Sequence, residues 1–508
     1  MKKYLAILVS LAFVFSSCEK AFEVKSSSTL SGSQAAAIVE EDPGFLTSYV
    51  NGFYAWMVAY NTDGGSHGDF GHLGCLYNLD MMGLDIAICG SWNWGTYDIN
   101  HDYGAYNYRR PYQYWNFYYT LIKKCNEVID FFGAEDPTNP TLRGYLGQAY
   151  ALRAMSYYYL IQIFQDPVEG TSPSASFRSD APAVPIVYAT RDGKSTEEAA
   201  AKGGRNTMKD LCEQIESDLA LALTLLEGYD RGSDKNQVNY EVAQGIAARY
   251  YVLTQQWDKA SAAAKAAQNG YDVMDETRLY SGFMEIQDSE VMWGFNHNTE
   301  TQTAYASFFS HLSNDCQGYG GVGQSVHCID RSLYDSMSDT DLRKGLFNGP
   351  EGDPAAATTG GKLPYAARKF GYMASWLQDY IYMRNAEMIL IEAEAAARKG
   401  DNAAAATALS KLMQKRDPAW KYASASIDDV LLQRRIELWG EGFEYFDLRR
   451  NGLAVDRKYT GTNHTAAAQF VFPAHAKSWN FQIPNQEMQN NQYITEEEQN
   501  EWVSGTEE

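Results

Sequence analysis

The chain has 508 residues, of which 45% are hydrophobic and 21% charged, so it is long enough for a large core and is neither disordered nor collagen-like. Its formal net charge of -22 repels polyphosphates and anionic lipid headgroups, which argues against nucleic-acid binding. The aromatic residues include 36 Tyr and 11 Trp against 22 Phe, and this excess of rings with a polar atom favours contact with a polar ligand.

The N-terminus predicts an export signal followed by a lipid attachment site. Met1-Lys2-Lys3 precedes an apolar run that ends at Phe15 and is shorter than the ~20 residues needed to span a bilayer. Ser16-Ser17-Cys18 then resembles the bacterial lipobox, although Phe15 is bulkier than the usual Leu or Val. We expect residues 1–17 to be a lipoprotein signal peptide, Cys18 to be lipidated and the polar residues 18–35 to form a tether. The alternative is an ordinary cleavable signal with a chance cysteine.

Residues 36–508 are expected to form one mainly α domain with little β-structure. Apolar residues recur at helical spacing in several long segments. The predicted helices are Gln34 to Tyr60, Pro111 to Phe132, Leu142 to Gln165, Thr207 to Glu227, Tyr240 to Gln268, Tyr380 to Lys399 and Ile427 to Arg449.

Two of these segments repeat one another. An offset of 143 residues (386 − 243 and 401 − 258) aligns Ala243 with Ala386 and Asp258 with Asp401, across a helix, a short turn and a second helix. Small residues at helical spacing allow helices to approach closely, so the pattern resembles tetratricopeptide repeats, in which helix hairpins stack. An accidental match between Ala-rich helices is the alternative.

Long irregular segments separate the helices. They run over residues 61–110, 166–205 and 271–378 and hold much of the Gly and Trp. Loops of this length within a compact domain are uncommon unless they are functional. We therefore interpret 61–110 and 271–378 as insertions that form the ligand-facing side of a single domain.

Three C-terminal stretches resemble the motifs of one protein family. They are Tyr380-Ile-Tyr-Met-Arg-Asn-Ala-Glu-Met-Ile-Leu-Ile-Glu-Ala-Glu-Ala, Leu432-Gln-Arg-Arg-Ile-Glu-Leu-Trp-Gly-Glu-Gly-Phe-Glu-Tyr-Phe-Asp-Leu-Arg-Arg, and Phe481-Gln-Ile-Pro-Asn-Gln-Glu with Asn490-Asn491. The chain is thereby similar to the SusD/RagB family, the surface glycan-binding lipoproteins of Bacteroidetes, from Cys18 to nearly its end. The resemblance implies a tetratricopeptide-like helix-pair scaffold with long irregular ligand-facing loops. It also implies a glycan ligand, a SusC-like TonB-dependent transporter as partner, and anchoring in the outer membrane facing the cell exterior.

The charged residues of these motifs predict a structural ion-pair network. Their signs alternate on two helices that the fold would bring together, and paired charges are buried at a lower cost than lone ones. The residues are Arg384, Glu387, Arg434, Arg435, Glu437, Glu441, Asp447 and Arg449. Glu444 departs from the family, which often has Arg at that position, and the departure bears on helix packing.

The sequence does not support catalysis, a cofactor or a bound metal. Gly64-Gly65-Ser66-His67-Gly68 matches the G-x-S-x-G elbow of hydrolases, but such an elbow needs a strand before it and a helix after it. The cysteines after Cys18 show no C-x-x-C pair or Cys/His metal spacing. Cys316 and Cys328 either close a disulfide loop or remain buried thiols.

A cluster of aromatic and amide side chains predicts a carbohydrate site in the first insertion. A sugar ring has an apolar C–H face and a belt of hydroxyls, so its binder needs an aromatic platform beside planar donors and acceptors. Trp92, Trp94 and Tyr97 are expected to supply the platform, and Asn93 and Asn100, with Asp98 between them, to pair with hydroxyls. One of the two tryptophans is expected to be core packing instead.

The resemblance implies that the second insertion adds to the same aromatic arc. Its candidates are Trp293, Tyr305, Gln317, Tyr319 and Tyr334, each of which could equally pack in the core. Two other interpretations keep the fold and change the function: a peptide cargo, as in some relatives of the family, or a mainly structural lid of the transporter.

Overall fold

A computed structural model describes residue 39 and residues 42–62, 66–89 and 104–504, and it confirms the mainly α fold. The helices are α1 (Thr47–Met57), α2 (His72–Asp80), α3 (Arg109–Ile129), α4 (Pro140–Phe164), α5 (Thr196–Ala201), α6 (Met208–Leu226), α7 (Tyr240–Leu253), α8 (Trp257–Ala267), α9 (Glu276–Leu279), α10 (Phe308–Leu312), α11 (Arg331–Ser336), α12 (Asn385–Arg398), α13 (Asn402–Met413), α14 (Ile427–Glu437), α15 (Glu444–Arg450) and α16 (Asn485–Asn490). Short 3₁₀ helices occupy Pro43–Leu46, Thr190–Asp192, Leu342–Leu346, Gly360–Lys362, Ala466–Ala468, Lys477–Trp479 and Glu496–Glu498.

The strands form antiparallel pairs in the described part of the chain. They are β1 (Ile86–Cys89), β2 (Val168–Glu169), β3 (Ser176–Phe177), β4 (Val291–Phe295), β5 (Val326–Ile329), β6 (Tyr380–Arg384), β7 (Val455–Asp456) and β8 (Val471–Phe472). β1 pairs with β5, β2 with β3, β4 with β6, and β7 with β8. β1–β5 joins the two insertions to each other, and β4–β6 joins the second insertion to the segment that precedes α12.

The helices begin where polar side chains satisfy the first backbone N–H groups. The Asn139 side chain accepts from the N–H groups of Thr141 and Leu142 at the start of α4, and Pro140 occupies the first helical position. Ser426 and Asp429 form a reciprocal capping box at the start of α14. These caps fix the residues at which the helices begin, whereas most of the stability of the helices comes from tertiary packing.

The predicted repeat is confirmed as two helix hairpins, α7–α8 and α12–α13. In each hairpin the first helix ends with the same hydrogen bond: Gln256 N–H donates to the Tyr251 carbonyl (2.8 Å), and Asp401 N–H donates to the Ala396 carbonyl (3.0 Å). The structural offset is therefore 145 residues (401 − 256 and 396 − 251), whereas the sequence alignment gave 143. Alanines match at several registers, so only the turn geometry determines the offset.

The long helices pack in succession from α1 through α3, α4, α6, α7 and α8 to α12, and α12 also packs against α13 and α14. Ala263, Ala264 and Ala267 of α8 are buried, which lets α8 approach α12 closely. This order is that of a stack of helix hairpins burying a shared core.

Four predicted helical segments differ from the structure. In the described part of Gln34 to Tyr60, α1 spans only Thr47–Met57 and follows a 3₁₀ helix, and Tyr240 to Gln268 is divided into α7 and α8. Tyr380 to Arg384 is strand β6, held by pairing with β4, and α12 begins only at Asn385. The segment predicted from Ile427 to Arg449 is divided into α14 and α15, with Gly440 and Gly442 both at positive φ between them. In addition, α2 lies within the insertion predicted to be irregular. The strand pairing and the positive-φ turn are tertiary features that override helical periodicity.

The predicted ion-pair network is confirmed, and its centre at Arg384 is buried. Its guanidinium pairs with Glu437 (3.2 Å), Glu441 (2.7 Å) and Glu290. Arg416 pairs with the same Glu437 (2.9 Å) and Glu290 (3.1 Å). The helix motifs alone did not identify Glu290 or Arg416, because neither lies in the two stretches that alternate in sign.

The remaining motif charges are distributed around this centre. Glu387 pairs with Arg249 of α7 (2.7 Å), Arg434 pairs with Asp447 (2.6 Å), and Arg435 pairs with Asp85. Arg449 instead donates to backbone carbonyls, those of Trp479 (2.9 Å) and Gln165 (2.7 Å). Most of the predicted charges therefore join different elements of the fold.

Replacing Glu437 with Gln should lower the free energy of unfolding by about 3–5 kcal/mol, because Arg384 and Arg416 lose a carboxylate while buried. Burial alone would raise the pKa of Glu437, but Arg416 and Arg384 outweigh it and hold this pKa below its usual value. The stabilisation is thus present above the unfolded pKa of about 4.3 and is lost as pH falls through the lower folded pKa. Urea denaturation between neutral and acid pH measures both effects.

The matched control is Glu213→Gln, which removes an exposed carboxylate 4.0 Å from Lys209. This variant should change the free energy of unfolding by at most about 0.5 kcal/mol. Equal losses in the two variants would contradict the network's role.

A reciprocal contact between carboxylates and backbone joins α2 to α15. Asp80 accepts from the N–H groups of Gly442 (2.7 Å) and Glu444 (3.0 Å), and the Glu444 carboxyl accepts from the N–H of Asp85 (2.9 Å). Burial raises the pKa of Asp80 to about 7 despite the hydrogen bonds from Gly442 and Glu444, and burial also raises the pKa of Glu444. Glu444, which departs from the resembled family, thus holds a turn of the first insertion against α15.

The Asp80 contact should weaken as pH rises. The folded pKa is above the unfolded value, so the stabilisation is full below about pH 4 and is lost as pH rises through about 7. The free energy of unfolding of wild type minus that of Asp80→Asn should fall over this range by about 4 kcal/mol, measured by urea denaturation in a pH series. A difference that stays constant with pH would contradict this assignment.

Candidate functional site

Three rings from both insertions form an aromatic platform, which we define as His67, Tyr305 and Tyr319. The His67 ring stacks on Tyr305 with a 6.1 Å centroid separation and an 18° interplanar angle. Tyr319 lies 5.7 Å from His67 and 5.8 Å from Tyr305, and its hydroxyl is hydrogen-bonded to His67 Nδ1. Tyr305 is 53% exposed, whereas Tyr319 is 9% exposed. The platform therefore combines an open ring face with a buried support.

The platform rests on buried rings beneath it. His311 Nε2 is 3.0 Å from the His67 carbonyl oxygen, and the His311 ring lies 5.1 Å from Tyr319 and 5.6 Å from Phe70. Burial lowers the pKa of His311 to about 3, and burial raises the pKa of Tyr319. His311 is consequently neutral near pH 7, and the Tyr319 hydroxyl keeps its proton.

Close backbone contacts hold the loop that carries Tyr319. Tyr319 N–H donates to Ser310 Oγ (3.3 Å), and Gly320 N–H donates to the Ser310 carbonyl (2.9 Å). A Cβ on Gly360 would lie 2.0 Å from the Gly320 carbonyl oxygen, so only glycine lets the two chains approach this closely. Residues far from Tyr319 in sequence thus determine where its ring sits.

The last described residue before the segment 90–103 lies close to the loop that carries Tyr319. Cys89, at the end of β1, is paired with Val326, and the N–H of the preceding residue, Ser325, donates to the Tyr319 carbonyl (3.2 Å). Residues 90–103 lie outside the described residues, and with them the candidates Trp92, Asn93, Trp94, Tyr97 and Asn100. β1 thus ends opposite Val326, the residue that follows the Ser325–Tyr319 hydrogen bond.

The candidates of the second insertion divide into platform and core. Tyr305 and Tyr319 come together in the platform, and Gln317 is exposed on the same loop as Tyr319. Trp293 was expected in the aromatic arc, but it is a core residue. It is 0% exposed in β4, its indole N–H donates to the Asn236 carbonyl (2.8 Å), and its ring meets Tyr382 edge-on. Tyr334 lies edge-on against Tyr365, with Lys344 Nζ 5.3 Å from its ring centre.

Sequence reasoning assigned no binding role to His67. It appeared only as the fourth residue of the hydrolase-like elbow, and its neighbour Tyr319 is 252 residues away. The sequence feature that could have marked His67 as a site residue is its position among glycines in a long loop. Nothing in the sequence indicated that His67 contacts Tyr305.

The elbow does not form a hydrolase site in the described residues. Ser66 Oγ accepts from the Gly68 N–H (3.1 Å) within a turn, and no histidine is hydrogen-bonded to it. Within the described ranges, no three His, Cys, Asp or Glu side chains come together as metal ligands. Cys316 donates to the Ser313 carbonyl (3.0 Å), and the described cysteines, Cys328 included, are free thiols.

Cys18 lies outside the described residues, as does the rest of the predicted signal and tether. Within the part of the chain that is described, no helix has the length and apolar character required to cross a bilayer.

Two family models match more than half of the chain between them. One, described as SusD-like and as starch-binding associating with the outer membrane, matches residues 72–253, and the other, described as SusD family, matches residues 374–502. No curated protein sequence matches the chain.

Solved structures of SusD-like proteins match nearly the whole chain. A SusD-like carbohydrate binding protein from Bacteroides vulgatus is 25% identical, with a TM-score of 0.72 over 89% of this chain and 97% of that chain. A SusD superfamily protein from Bacteroides thetaiotaomicron is 20% identical (TM-score 0.70; 90% and 99% covered). Surface glycan-binding protein A from Bacteroides uniformis is 18% identical (TM-score 0.63; 90% and 99% covered). The last two establish likeness of fold.

Gly360→Ala should lower the free energy of unfolding by about 1–3 kcal/mol, because the added Cβ forces apart the backbones of Gly360 and Gly320. Urea denaturation followed by tyrosine and tryptophan fluorescence measures this loss. The control is Gly133→Ala, whose Cβ would meet no atom within 4 Å and which should shift stability by less than about 1 kcal/mol. Wild-type stability of Gly360→Ala would contradict the close contact.

Proposed function

Because this chain belongs to the SusD/RagB family, we propose that it captures oligosaccharide or polysaccharide at the cell surface and delivers it to a TonB-dependent outer-membrane transporter. Membership of this carbohydrate-binding family supports the proposals that the ligand is a glycan and that the chain functions as a binding protein. The transporter partner and the delivery step come from the family alone.

The platform of His67, Tyr305 and Tyr319 is the observation that carries the proposal. Its exposed Tyr305 ring offers a flat face to the C–H groups of a sugar, and its stacked neighbour His67 keeps that ring in place. Gln317, exposed on the adjacent loop, has an amide that both donates to and accepts from hydroxyls. A stacking face and a planar amide are the two kinds of group that suit a pyranose.

Residues 90–103 are proposed to complete the same site. Trp92, Trp94 and Tyr97 would extend the stacking surface, and Asn93 and Asn100 would pair with vicinal hydroxyls. The pairing of Cys89 with Val326, next to the Tyr319 loop, supports this placement.

Lipid attachment at Cys18 is proposed to hold the protein on the outer membrane, facing outward. The SusD family is associated with that membrane. Acyl chains at Cys18 would anchor the chain by about 0.8 kcal/mol per buried CH₂, with more than one chain needed for stable attachment. Residues 18–35 would then act as the tether between membrane and domain.

Tyr305→Ala and Trp94→Ala should each weaken glycan binding about tenfold, because each removes a stacking face, while far-UV circular dichroism stays unchanged. A glycan array on the soluble form starting after Cys18 identifies the ligand, and isothermal titration then measures the affinity of each variant. Tyr280→Ala, which removes an exposed tyrosine of a different segment, should bind as wild type.

The other interpretations give different outcomes in the same experiment. Wild-type affinity in the alanine variants of Trp92, Trp94 and Tyr97 would remove that segment from the site. Binding to a peptide library that survives periodate treatment would replace the glycan by a peptide cargo. Ligand binding only in complex with the transporter would indicate a mainly structural lid.

A further inference from the structure

A cavity lined in part by aromatic residues lies beside the second helix hairpin. It has a volume of about 150 Å³ and is enclosed by α13, α14, the segment that joins them and the end of α11. Its lining shares no residue with the platform. It therefore needs an explanation that the platform does not supply.

The rim of this cavity presents two unused aromatic side chains. Trp420 and Tyr422 meet at a centroid distance of 5.5 Å and an angle of 69°, and Tyr422 is 66% exposed. No described residue accepts a hydrogen bond from the Trp420 indole N–H or from the Tyr422 hydroxyl. Both donors, and the ring of the exposed Tyr422, remain available to a ligand.

Carboxylates and hydroxyls also line the cavity. Asp417 accepts from the hydroxyls of Thr340 (2.6 Å) and Ser338 (2.8 Å). Burial opposes ionisation of Asp417, but these two hydrogen bonds outweigh it and hold its pKa below the usual value. Asp429 accepts from the Ser426 hydroxyl through Oδ2 (2.7 Å), which leaves its Oδ1 as an acceptor. The lining thus offers carboxylate oxygens as acceptors together with the free donors of Trp420 and Tyr422.

The floor of the cavity is apolar. Leu409, Met413 and Ile436 line it and are buried, and Trp420 packs against the same helices. A ligand that fits must therefore carry an apolar surface together with groups that both donate and accept hydrogen bonds around its edge.

We propose that this cavity is a second carbohydrate site, which takes one sugar residue of a glycan chain. A pyranose places its C–H face against the floor and rings, its hydroxyl hydrogens toward Asp417 and Asp429, and its hydroxyl oxygens toward Trp420 and Tyr422. A basic side chain fits less well, because it only donates and would leave the two aromatic donors unpaired.

That the ligand of the cavity is a carbohydrate rests on the proposed function. The resulting preference for long glycans goes beyond that function. Two separate sites on one chain can engage a single polysaccharide, so the second contact forms at a high effective concentration. The cavity then makes the protein favour long glycans over short ones, which the platform alone would not do.

The experiment is native gel electrophoresis of the soluble form through gels that contain amylopectin, xylan, galactomannan or pectin. Tyr422→Ala should raise the Kd for the retarding polysaccharide about five- to tenfold, and Trp420→Ala should do the same. Trp420 also packs on the helices, so the exposed Tyr422 is the variant that separates binding from folding. Tyr493→Ala, an exposed tyrosine of another segment, is the control and should migrate as wild type.

Comparison with Tyr305→Ala separates the two sites. Retardation lost in Tyr305→Ala but unchanged in Tyr422→Ala and Trp420→Ala overturns the second site and leaves the proposed function standing. Retardation lost in Tyr422→Ala but unchanged in Tyr305→Ala supports the cavity and overturns the platform. Wild-type protein that no polysaccharide retards, or a cavity that binds a triarginine peptide in place of glycan, overturns the second site.

Discussion

The buried pairing of Arg384 with Glu290 and Glu437 is the constraint on which the rest of the fold depends. Arg384 ends β6 and immediately precedes α12, Glu437 ends α14, and Glu290 precedes β4, so one guanidinium joins the β4–β6 strand pair to α14. Charges buried this completely are tolerated only when each has its partners, so the elements that supply them cannot move independently. The same group fixes β6 in a position from which it supports the ligand-facing loops.

Hydrogen bonds lead from that centre to the aromatic platform. Tyr380 of β6 accepts from the Phe308 N–H (3.1 Å), which sets the start of α10. Ser310, within α10, accepts from the N–H groups of Gly320 and Tyr319, and Tyr319 supports His67. The loop that displays the rings is irregular, but it is not independent of the scaffold. An aromatic ring that stacks on a ligand binds more tightly when it is already fixed in place, because a freely rotating ring loses conformational entropy on binding.

The platform and the cavity bounded by Trp420 use the same chemistry on different supports. The platform lies on insertions that are held by strand pairs, whereas the cavity lies between α13 of the second hairpin and α14. Both place exposed aromatic faces beside polar groups that still have hydrogen-bonding capacity. The strongly acidic surface of the chain suits hydroxyl-rich neutral ligands, because carboxylates accept from hydroxyls and repel anions. A helix-hairpin scaffold thereby displays binding surfaces of one kind at separate places.

The sequence by itself determined the helical class, the hairpin repeat, the family and the buried charge network, because these depend on periodicity and on motifs read within one segment. It also named Tyr305 and Tyr319 among the separate candidates of the second insertion, and the structure places their ring centroids 5.8 Å apart. Only the tertiary structure decided that Trp293 is a core residue and that His67 joins the platform, since both depend on partners far away in sequence. Whether an aromatic ring faces solvent or core is a property of the residues packed around it, and local composition is the same in either case.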